Sequence, residues 1–391
     1  MIARIFIWII LLIVLPDFYL DRYYLKDRRN ISVKKRILWW MPAFALLIYT
    51  VALATNKNFV PDNIFWLRLY LFLVGLFIVP KAAFSFFSLI GLIVCRVRHK
   101  HRNVGNAIGA VCAVITLIMF FYGLLYGWRR FEIKHVDIYV DNLPKSFDGY
   151  RITHFSDAHL GSFMGSAESV LRRDIDSINA QHSDMIVFTG DLQNIKPTEL
   201  YPFKPLMSVL HARDGVFSVL GNHDYGDYVS VDSLAKKANE RETQRMERSF
   251  GWHLLMNENA VIKRGRDSIF IAGEENDDEK KHDYYDKNKT YQGIPMNAFV
   301  ICLQHNPLFW DYSLIPEKSR AVARITLCGH THAGQISLFG LRPTMAHYKY
   351  DYGLYEKNGY FINVTGGIGG LVPFRLGSTP EINVITLHRK P

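Results

Sequence analysis

The 391-residue sequence predicts an α/β protein with two regions: a four-helix transmembrane region in residues 1–130 and a layered α/β domain in residues 131–391. Three observations support this prediction. Four long apolar runs lie before residue 130, and after it short strand-like apolar runs alternate with helical stretches. Five of those short runs are followed directly by polar motifs. Apolar runs of this length are typical of membrane spans, and the alternation is typical of α/β domains.

The four apolar runs cover residues 2–20, 37–54, 66–95 and 104–126. A helix needs roughly 20 predominantly apolar residues to cross a bilayer. The third run is long for one crossing, so we expect a tilt, kink or break there, near Pro80. A cleaved signal peptide is the alternative for the first run. Its basic end is weak and three more apolar runs follow, which favours a retained helix.

Basic residues are distributed unevenly among the loops between these runs. Seven Lys and Arg lie in residues 21–36 and four in residues 96–103, against one in residues 55–65. The positive-inside rule therefore places the first and third loops in the cytoplasm. If the third run crosses once, the α/β domain of this integral membrane protein lies on the extracytoplasmic side. Arg129 and Arg130, directly after the last run, point the other way.

The α/β domain combines strands, helices and a second set of strands. Apolar runs predict strands at residues 152–155, 185–189, 216–220, 299–303 and 325–328. Helical periodicity covers residues 166–181, 197–212 and 230–248, whereas residues 252–272 and 326–391 contain strand patterns without long helices. Two sheets packed face to face, with helices outside, account for this order.

Each of the five strand-like runs ends in a polar motif. The motifs are Asp157-Ala158-His159, Gly190-Asp191, Gly221-Asn222-His223-Asp224, Gln304-His305-Asn306 and Gly329-His330-Thr331-His332. Ligands of layered α/β domains bind outside the carboxyl ends of the strands, so we expect one polar pocket. Gly-Asp and similar pairs are often plain turns, but independent turns would not place ligand-type residues at so many strand ends.

The chemistry of these side chains suits two divalent metal ions. Carboxylate and amide oxygens are mixed with imidazoles, a set that favours Mn, Fe, Zn, Co or Ni. Paired metal ions clamp the attacking and leaving oxygens of an in-line displacement and supply a hydroxide at neutral pH. Phosphoester hydrolysis is the reaction that most needs this arrangement.

In their order, the motifs resemble those of the calcineurin-like metallophosphoesterases. The extended motif Gly329-His330-Thr331-His332-Ala333-Gly334-Gln335, with Phe374-Arg375 and Pro380-Glu381-Ile382, resembles the membrane-associated bacterial branch. The resemblance covers residues 132–391. It implies a calcineurin-like two-sheet α/β sandwich with flanking helices and a metal-dependent phosphoric ester hydrolase. A hydroxide bridging the two metals would be the nucleophile.

The resemblance also implies a role for each motif residue. Asp157, His159 and His332 would hold the first metal ion, and Asn222, His305 and His330 the second. Asp191 would bridge both.

His223 would act as general acid toward the leaving group or steady the phosphate, which suits an imidazole. Asp224 would orient His223 through its other ring nitrogen, and Asn194 would support the site from behind. Residues 366–370 contain four glycines, and they form either a loop beside the site or a plain surface turn. The charged stretch 274–289 matches no common element of the family.

The net charge of +10 does not indicate a nucleic-acid partner. Residues 1–130 contain 17 Lys and Arg against 4 Asp and Glu, and the remainder contains 29 against 32. The basic excess therefore belongs to the membrane flanks, and the α/β domain is slightly acidic.

The sequence thus predicts a membrane-anchored two-metal phosphoesterase. Its location favours a substrate in or near the lipid surface, a phosphodiester or lipid-linked phosphate. One alternative is a pyrophosphatase of a nucleotide-linked lipid precursor, which requires a cytoplasmic site. Another is a non-catalytic metal-binding membrane sensor or scaffold, against which the intact ligand set and His223 speak.

Overall fold

The computed structural model describes residues 2–28, 31–61, 63–276, 285–313 and 322–390. The chain divides into two compact units, Met1–Gly123 and Leu124–Pro391. The central part of the charged stretch, residues 277–284, lies outside the described residues.

The first unit is helical. Its helices are α1 (Phe6–Leu20), α2 (Val33–Ala54), α3 (Ile64–Leu73) and α4 (Val79–Val97), followed by α5 (Gly105–Leu125), which ends in the second unit. A wide π-helical stretch, Val74–Ile78, joins α3 to α4 in one continuous helical segment of 34 residues. The third apolar run is therefore one helical segment.

Pro80 explains the π-helical stretch. Proline has no backbone N–H and its ring clashes with the carbonyl four residues before it. It occupies the second position of α4, directly after the wide turn, and such turns absorb the lost bond without ending the helix. The expected irregularity near Pro80 is present, as a local widening of the helix.

Among the described residues, three helical segments are long and apolar enough to cross a membrane: Val33–Ala54, Ile64–Val97 and Gly105–Arg129. The α-helix in the first apolar run is shorter than the run itself. The run forms a 3₁₀ turn, Ile2–Arg4, and then the 15-residue α1, because the backbone at Ile5 is not helical. Near its end, Asp17 forms a 2.6 Å ion pair with Lys81 of α4.

Small residues allow α4 and α5 to approach closely. A side chain at Gly105 would collide with the backbone of Phe87 and Gly91. Beside this contact, Ser88 of α4 donates a 2.7 Å hydrogen bond to Asn106 of α5. Close backbone contact and polar bridges are the usual means of packing helices in lipid.

In the part of the second unit that the structure describes, the strands form two six-stranded sheets. Its strands are β1 (Glu132–Val140), β2 (Tyr150–Phe155), β3 (Met185–Phe188), β4 (Val216–Ser218), β5 (His253–Leu254), β6 (Glu258–Arg264), β7 (Asp267–Gly273), β8 (Phe299–Leu303), β9 (Ile325–Cys328), β10 (Gly353–Lys357), β11 (Tyr360–Val364) and β12 (Glu381–Arg389). The first sheet has the order β1-β12-β2-β3-β4-β5 and the second β10-β11-β9-β8-β7-β6. Strands β2 to β5 run parallel, as do β7, β8, β9 and β11.

The inner faces of the two sheets form one apolar core. Ile152 and Val187 of the first sheet pack in the same buried cluster as Ile271, Ile301 and Leu327 of the second. This confirms the predicted two-sheet sandwich.

Helices cover the outer face of the first sheet. They are α6 (Glu168–Asn179), α7 (Lys204–Met207) and α8 (Ser233–Arg248). Later in the chain there are two short helices, α9 (Lys287–Thr290) and α10 (Trp310–Ser313). Leu171 and Ile175 of α6 pack on Phe155 and Phe188 of the sheet. Helices α6 and α8 lie within their predicted ranges.

The prediction of one helix over residues 197–212 is wrong. That segment contains two 3₁₀ turns and the four-residue α7. Pro197 is the first residue of one turn, and Pro202 and Pro205 are the second residues of the next two, because proline suits the first turn of a helix and interrupts its interior. The apolar spacing was helical, but the prolines divide it.

Candidate metal centre

The two sheets place the five motifs around one point. Asp157 follows β2 by two residues and Asp191 follows β3 by three. From the other sheet, His305 follows β8 and His330 follows β9, each by two residues. The carboxyl ends of neighbouring parallel strands meet at one edge of a sheet, which is why motifs far apart in sequence come together.

Four of the predicted ligands form a first cluster, Asp157, His159, Asp191 and His332. One ligand atom from each lies within 4.8 Å of the others. The His332 Nε2 atom is 3.4 Å from Asp157 Oδ1, and the His159 Nε2 atom is 3.6 Å from Asp191 Oδ2.

Asp191 also belongs to a second cluster, with His305 and His330. The His305 Nε2 atom is 3.3 Å from Asp191 Oδ2 and 3.0 Å from Asn222 Oδ1, so Asn222 adjoins this cluster. All seven predicted ligands are thus together, and one carboxylate is common to both clusters.

Both ring nitrogens of His305 have close polar partners. Its Nδ1–H donates to the carbonyl oxygen of Thr189 at 2.7 Å, and its Nε2 lies 3.0 Å from Asn222 Oδ1 and 3.1 Å from His330 Nδ1. Burial lowers the pKa of His305, but the adjacent Asp191 outweighs it and raises that pKa to about 9, so a metal ion bound at Nε2 would take the place of a proton. His159 is buried, and its Nε2 has no hydrogen-bond partner among the described residues. A buried polar atom without a partner is costly, and a metal ion would satisfy it.

The charges at the site also fit a metal ion. Burial lowers the pKa of His159 and of His330 to about 3, and that of His332 well below its usual value. These imidazoles are therefore neutral near pH 7, the form that binds metals.

The two carboxylates differ in the environment that surrounds them. Burial raises the pKa of Asp157 to about 7. Burial also acts on Asp191, but the adjacent His305 and His223 outweigh it and hold the pKa of Asp191 well below its usual range. A bound cation would favour the ionised form of both carboxylates.

The backbone of the site is strained. Five of the seven predicted ligands have positive φ, a region that non-glycine residues rarely occupy: Asp157 (54°), His159 (46°), Asp191 (62°), His330 (73°) and His332 (52°). Residues of this kind persist where the surrounding structure holds them, and they cluster at functional sites.

Glycines give the ligand loops the space to meet. A side chain at Gly221 would collide with the Asp191 carboxylate, and one at Gly329 would collide with Asp157. A side chain at Gly367 would likewise collide with the Asp157 side chain, and one at Gly369 would collide with the backbone of residues 157 and 158. The glycine-rich segment 366–370 is therefore a loop at the site and not a remote surface turn.

His223 lies beside the clusters without belonging to them. Its backbone N–H donates to Asp191 Oδ1 at 2.9 Å, and its Nδ1–H donates to the backbone carbonyl of Asn194 at 2.5 Å. Its ring centroid is 4.8 Å from that of His159. The carbonyl thereby fixes Nδ1 as the protonated nitrogen of the neutral ring.

The expected role of Asp224 needs correction, because the Nδ1 contact of His223 is made by Asn194. The Asp224 carboxylate instead accepts the backbone N–H groups of Gly221, Asp191, Leu192 and Gln193, at 2.8–3.2 Å. It therefore joins the loop after β3 to the turn after β4. Asn194 does support the site, but through its main-chain carbonyl.

Two tyrosines at the site were not predicted. The Asn222 side-chain NH₂ donates to the Tyr228 hydroxyl at 2.6 Å, which turns Oδ1 toward His305. The Tyr348 hydroxyl lies 2.8 Å from His330 Nε2.

Arg375, which belongs to the motif Phe374-Arg375, is buried, and the sequence predicts no role for it. The Arg375 guanidinium donates to the carbonyl oxygens of His332 and Gly366, at 2.9 and 2.8 Å. It thereby ties two loops of the site together. Neither the tyrosines nor this arginine stands at a fixed spacing from a strand end, so the sequence carried no local signal for their contacts.

Comparison with known proteins agrees with this geometry. The family model for calcineurin-like phosphoesterases matches residues 150–334. A second model, described as "Probable Calcineurin-like phosphoesterase, transmembrane domain", matches residues 3–128.

Three relatives illustrate the range of similar proteins. The uncharacterized metallophosphoesterase YkuE of Bacillus subtilis is 30% identical, and the match covers 67% of this chain and 89% of YkuE. A Danio rerio transmembrane protein with a metallophosphoesterase domain is 28% identical over 71% of this chain and 62% of its own length. The UDP-2,3-diacylglucosamine pyrophosphatase LpxG of Chlamydia trachomatis is 27% identical over 64% of this chain and 88% of its own. The chain therefore spans less than two thirds of the Danio rerio protein.

The shared carboxylate leads to a prediction about metal content. Asp191→Asn should weaken metal binding at both clusters. Replacing a residue that only hydrogen-bonds to a metal ligand lowers metal affinity roughly 10–100-fold, and we expect a larger loss here. His332→Ala should weaken metal binding mainly at the first cluster. Elemental analysis of purified protein measures both, with the exposed Asp227→Asn as a matched control. Full metal content in Asp191→Asn would exclude a shared ligand.

The position of Asp224 leads to a second prediction. Asp224→Asn places an NH₂ group against backbone N–H donors, and each unsatisfied buried donor costs about 1–3 kcal/mol. We expect a lower thermal midpoint together with lower metal content. If Asp224 acted only by orienting His223, turnover would fall while metal content and midpoint stayed normal.

Proposed function

Since the chain belongs to the calcineurin-like phosphoesterase family, whose members are metal-dependent phosphoric ester hydrolases, and carries a transmembrane domain of that family, we propose that it hydrolyses a lipid-linked phosphoester at the membrane surface with two metal ions. The observation that carries the proposal is the sharing of Asp191 by two ligand clusters. Two metals held by one carboxylate suit the in-line displacement of a phosphoester oxygen.

The ligands divide between the two positions as the clusters do. Asp157, His159 and His332 would hold one ion, and Asp191 would contact both. The second position would be completed by Asn222, His305 and His330. When bound, divalent metal ions of the Mn, Fe, Zn, Co or Ni type polarise phosphoryl oxygens and lower the pKa of water.

His223 supplies the general acid in this proposal. Its Nδ1–H remains on the Asn194 carbonyl, and its protonated Nε2 gives a proton to the leaving oxygen. The bond from its backbone N–H to Asp191 keeps this ring next to the metal position. The contact that orients the imidazole is thus a main-chain carbonyl.

Two observations support a lipid-linked substrate. The chain is an integral membrane protein, and its described part contains three helical segments long enough to cross a bilayer. The name of the relative LpxG is that of a pyrophosphatase acting on a diacylated sugar nucleotide. The same relative favours the second candidate, a pyrophosphatase of a nucleotide-linked lipid precursor, which needs the site on the cytoplasmic side. The intact ligand set and His223 speak against a non-catalytic sensor or scaffold.

A substrate panel tests the proposal. Full-length protein with added Mn²⁺ is assayed on nitrophenyl phosphate, bis-nitrophenyl phosphate, phospholipids and a nucleotide-linked diacyl sugar, the lipids in mixed micelles. We expect the highest kcat/KM on a lipid. A preference for water-soluble esters would reject the lipid assignment while retaining the phosphoesterase.

Replacement of His223 tests its role. His223→Ala should retain its metal and lose roughly 10²–10⁴-fold in turnover, the scale of general acid catalysis. The loss should be smaller for nitrophenyl esters, because a good leaving group needs less protonation. The exposed His211→Ala is the control. An equal loss on good and poor leaving groups would indicate phosphate positioning in place of proton donation.

The sidedness of the site separates the two lipid candidates. We propose the extracytoplasmic side, from the basic loops and the single crossing of Ile64–Val97. In intact cells, a cysteine at the exposed Asn288 should react with a membrane-impermeant thiol reagent, and one at His101 should react only after lysis. Protein with only its native cysteines gives the background. The reverse pattern would favour the nucleotide-linked precursor.

A further inference from the structure

A tight hairpin begins four residues after the ligand His332. Leu338 and Leu341 exchange two backbone hydrogen bonds, of 3.0 and 2.9 Å, around the two-residue turn Phe339-Gly340. The φ angles of the turn residues are 54° and 82°. Positive φ at both central residues is the type of turn that connects two-residue hairpins. We call residues 336–341 the apolar hairpin.

The tip of this hairpin is apolar and faces solvent. Phe339 is fully exposed, Leu341 is 69% exposed and Leu338 is 40% exposed. The segment 336–341 contains no charged residue, and Met345, shortly after it, is half exposed. Scattered exposed apolar residues are ordinary, but three adjacent ones at the tip of a projecting turn mark an interaction surface.

The identity of Phe339 adds a second observation. The first position of such turns normally holds Asn, Asp or Gly, which tolerate positive φ. A bulky aromatic residue there is a genuine outlier. The turn would form more readily with asparagine. We therefore infer that the phenylalanine at this position serves a function other than stabilising the turn.

The hairpin is also held rigidly. The Ser337 N–H donates to the Leu376 carbonyl at 2.7 Å, and the Leu376 N–H donates to the Gln335 carbonyl at 2.9 Å. Directly after the hairpin, Arg342 forms two hydrogen bonds, of 2.6 and 3.0 Å, with the buried Asp351. An exposed apolar tip on a rigid base is preorganised for binding, because little conformational entropy is lost when its partner binds.

The base of the hairpin consists of Gln335, Ser337 and Leu376, and its location indicates what the apolar tip contacts. Gln335 and Phe374 line one small cavity of the α/β unit together with Trp128. Trp128 follows the end of α5 by three residues, and its indole N–H donates to Leu124 at 2.8 Å. Three residues span at most roughly 10 Å, and a tryptophan at this position is typical of a membrane interface. The base of the hairpin is therefore near the point where the chain leaves the last span.

We propose that the apolar hairpin inserts Phe339, Leu338 and Leu341 into the lipid surface beside the last span. Insertion to roughly 5–10 Å, as for the apolar face of interfacial helices, removes these side chains from water. The inference depends on the membrane domain and not on the proposed substrate.

Depth-dependent quenching tests the insertion in the full-length protein. Phe339→Cys, with Cys95 and Cys112 replaced by alanine, is labelled with an environment-sensitive fluorophore in phosphatidylcholine–phosphatidylglycerol vesicles. We expect blue-shifted emission and a loss of fluorescence with lipids that carry a nitroxide near the headgroup.

The control is Met296→Cys, an exposed apolar position three residues before β8, at the edge of the sheet opposite to His305. Its label should emit as in water and resist quenching. Leu341→Cys serves as a second label if Phe339→Cys fails to fold. Water-like emission from both hairpin labels would overturn the proposal. Blue-shifted emission insensitive to the lipid quencher would overturn it as well, since the tip would then be covered by protein.

Discussion

The candidate metal centre depends on a carboxyl group, that of Asp224, which belongs to neither ligand cluster. Asp224 accepts N–H groups from the loop after β3 and the turn after β4, and so holds residues 191–193 against residue 221. This contact keeps Asp191 in its left-handed conformation, with Oδ1 on the His223 backbone and Oδ2 between His159 and His305. Asp191, which belongs to both clusters, and His223 are thus positioned by this one carboxyl group. Burial raises its pKa to about 7, so the N–H groups of the loop work against a substantial desolvation cost.

Much of this site could be predicted from sequence because its chemistry is encoded in side chains at strand ends. Residue types that bind metals follow five strands in the sequence, and the two-sheet sandwich brings the ends of those strands together. The orientation of His223 was not visible in this way. Its partner is the carbonyl of Asn194, and every residue has a carbonyl, so no residue type marks the position. Asp224 was correctly associated with the site, but its partners are backbone N–H groups, which leave no trace in the sequence either.

The fold shows the same division. Periodicity located α6, α8 and five strands, β2, β3, β4, β8 and β9, since burial of one face imposes the pattern directly. It failed at residues 197–212, where the apolar spacing is helical but three prolines interrupt the backbone. At Pro80 the outcome was different. There a π-helical stretch absorbed the proline and the helical segment continued to Val97. A proline thus signals a local irregularity, and the packing around it decides whether the helix ends.

The arrangement of the site also bears on how a lipid substrate could be selected. Among the described residues, a cavity at the loops of the site lies between Trp128 and Phe374, and it is too small for a diacyl chain. A substrate whose acyl chains stay in the bilayer needs no such pocket, because only its phosphoester has to reach the metals. Confinement to the surface raises its effective concentration without any new contact. The path from the hairpin to His332 is short and rigid, through Gln335, residue 376 and Arg375. A tip fixed in lipid would therefore set the height of the metal centre above the bilayer, and specificity for a lipid would follow from that height more than from recognition of its acyl chains.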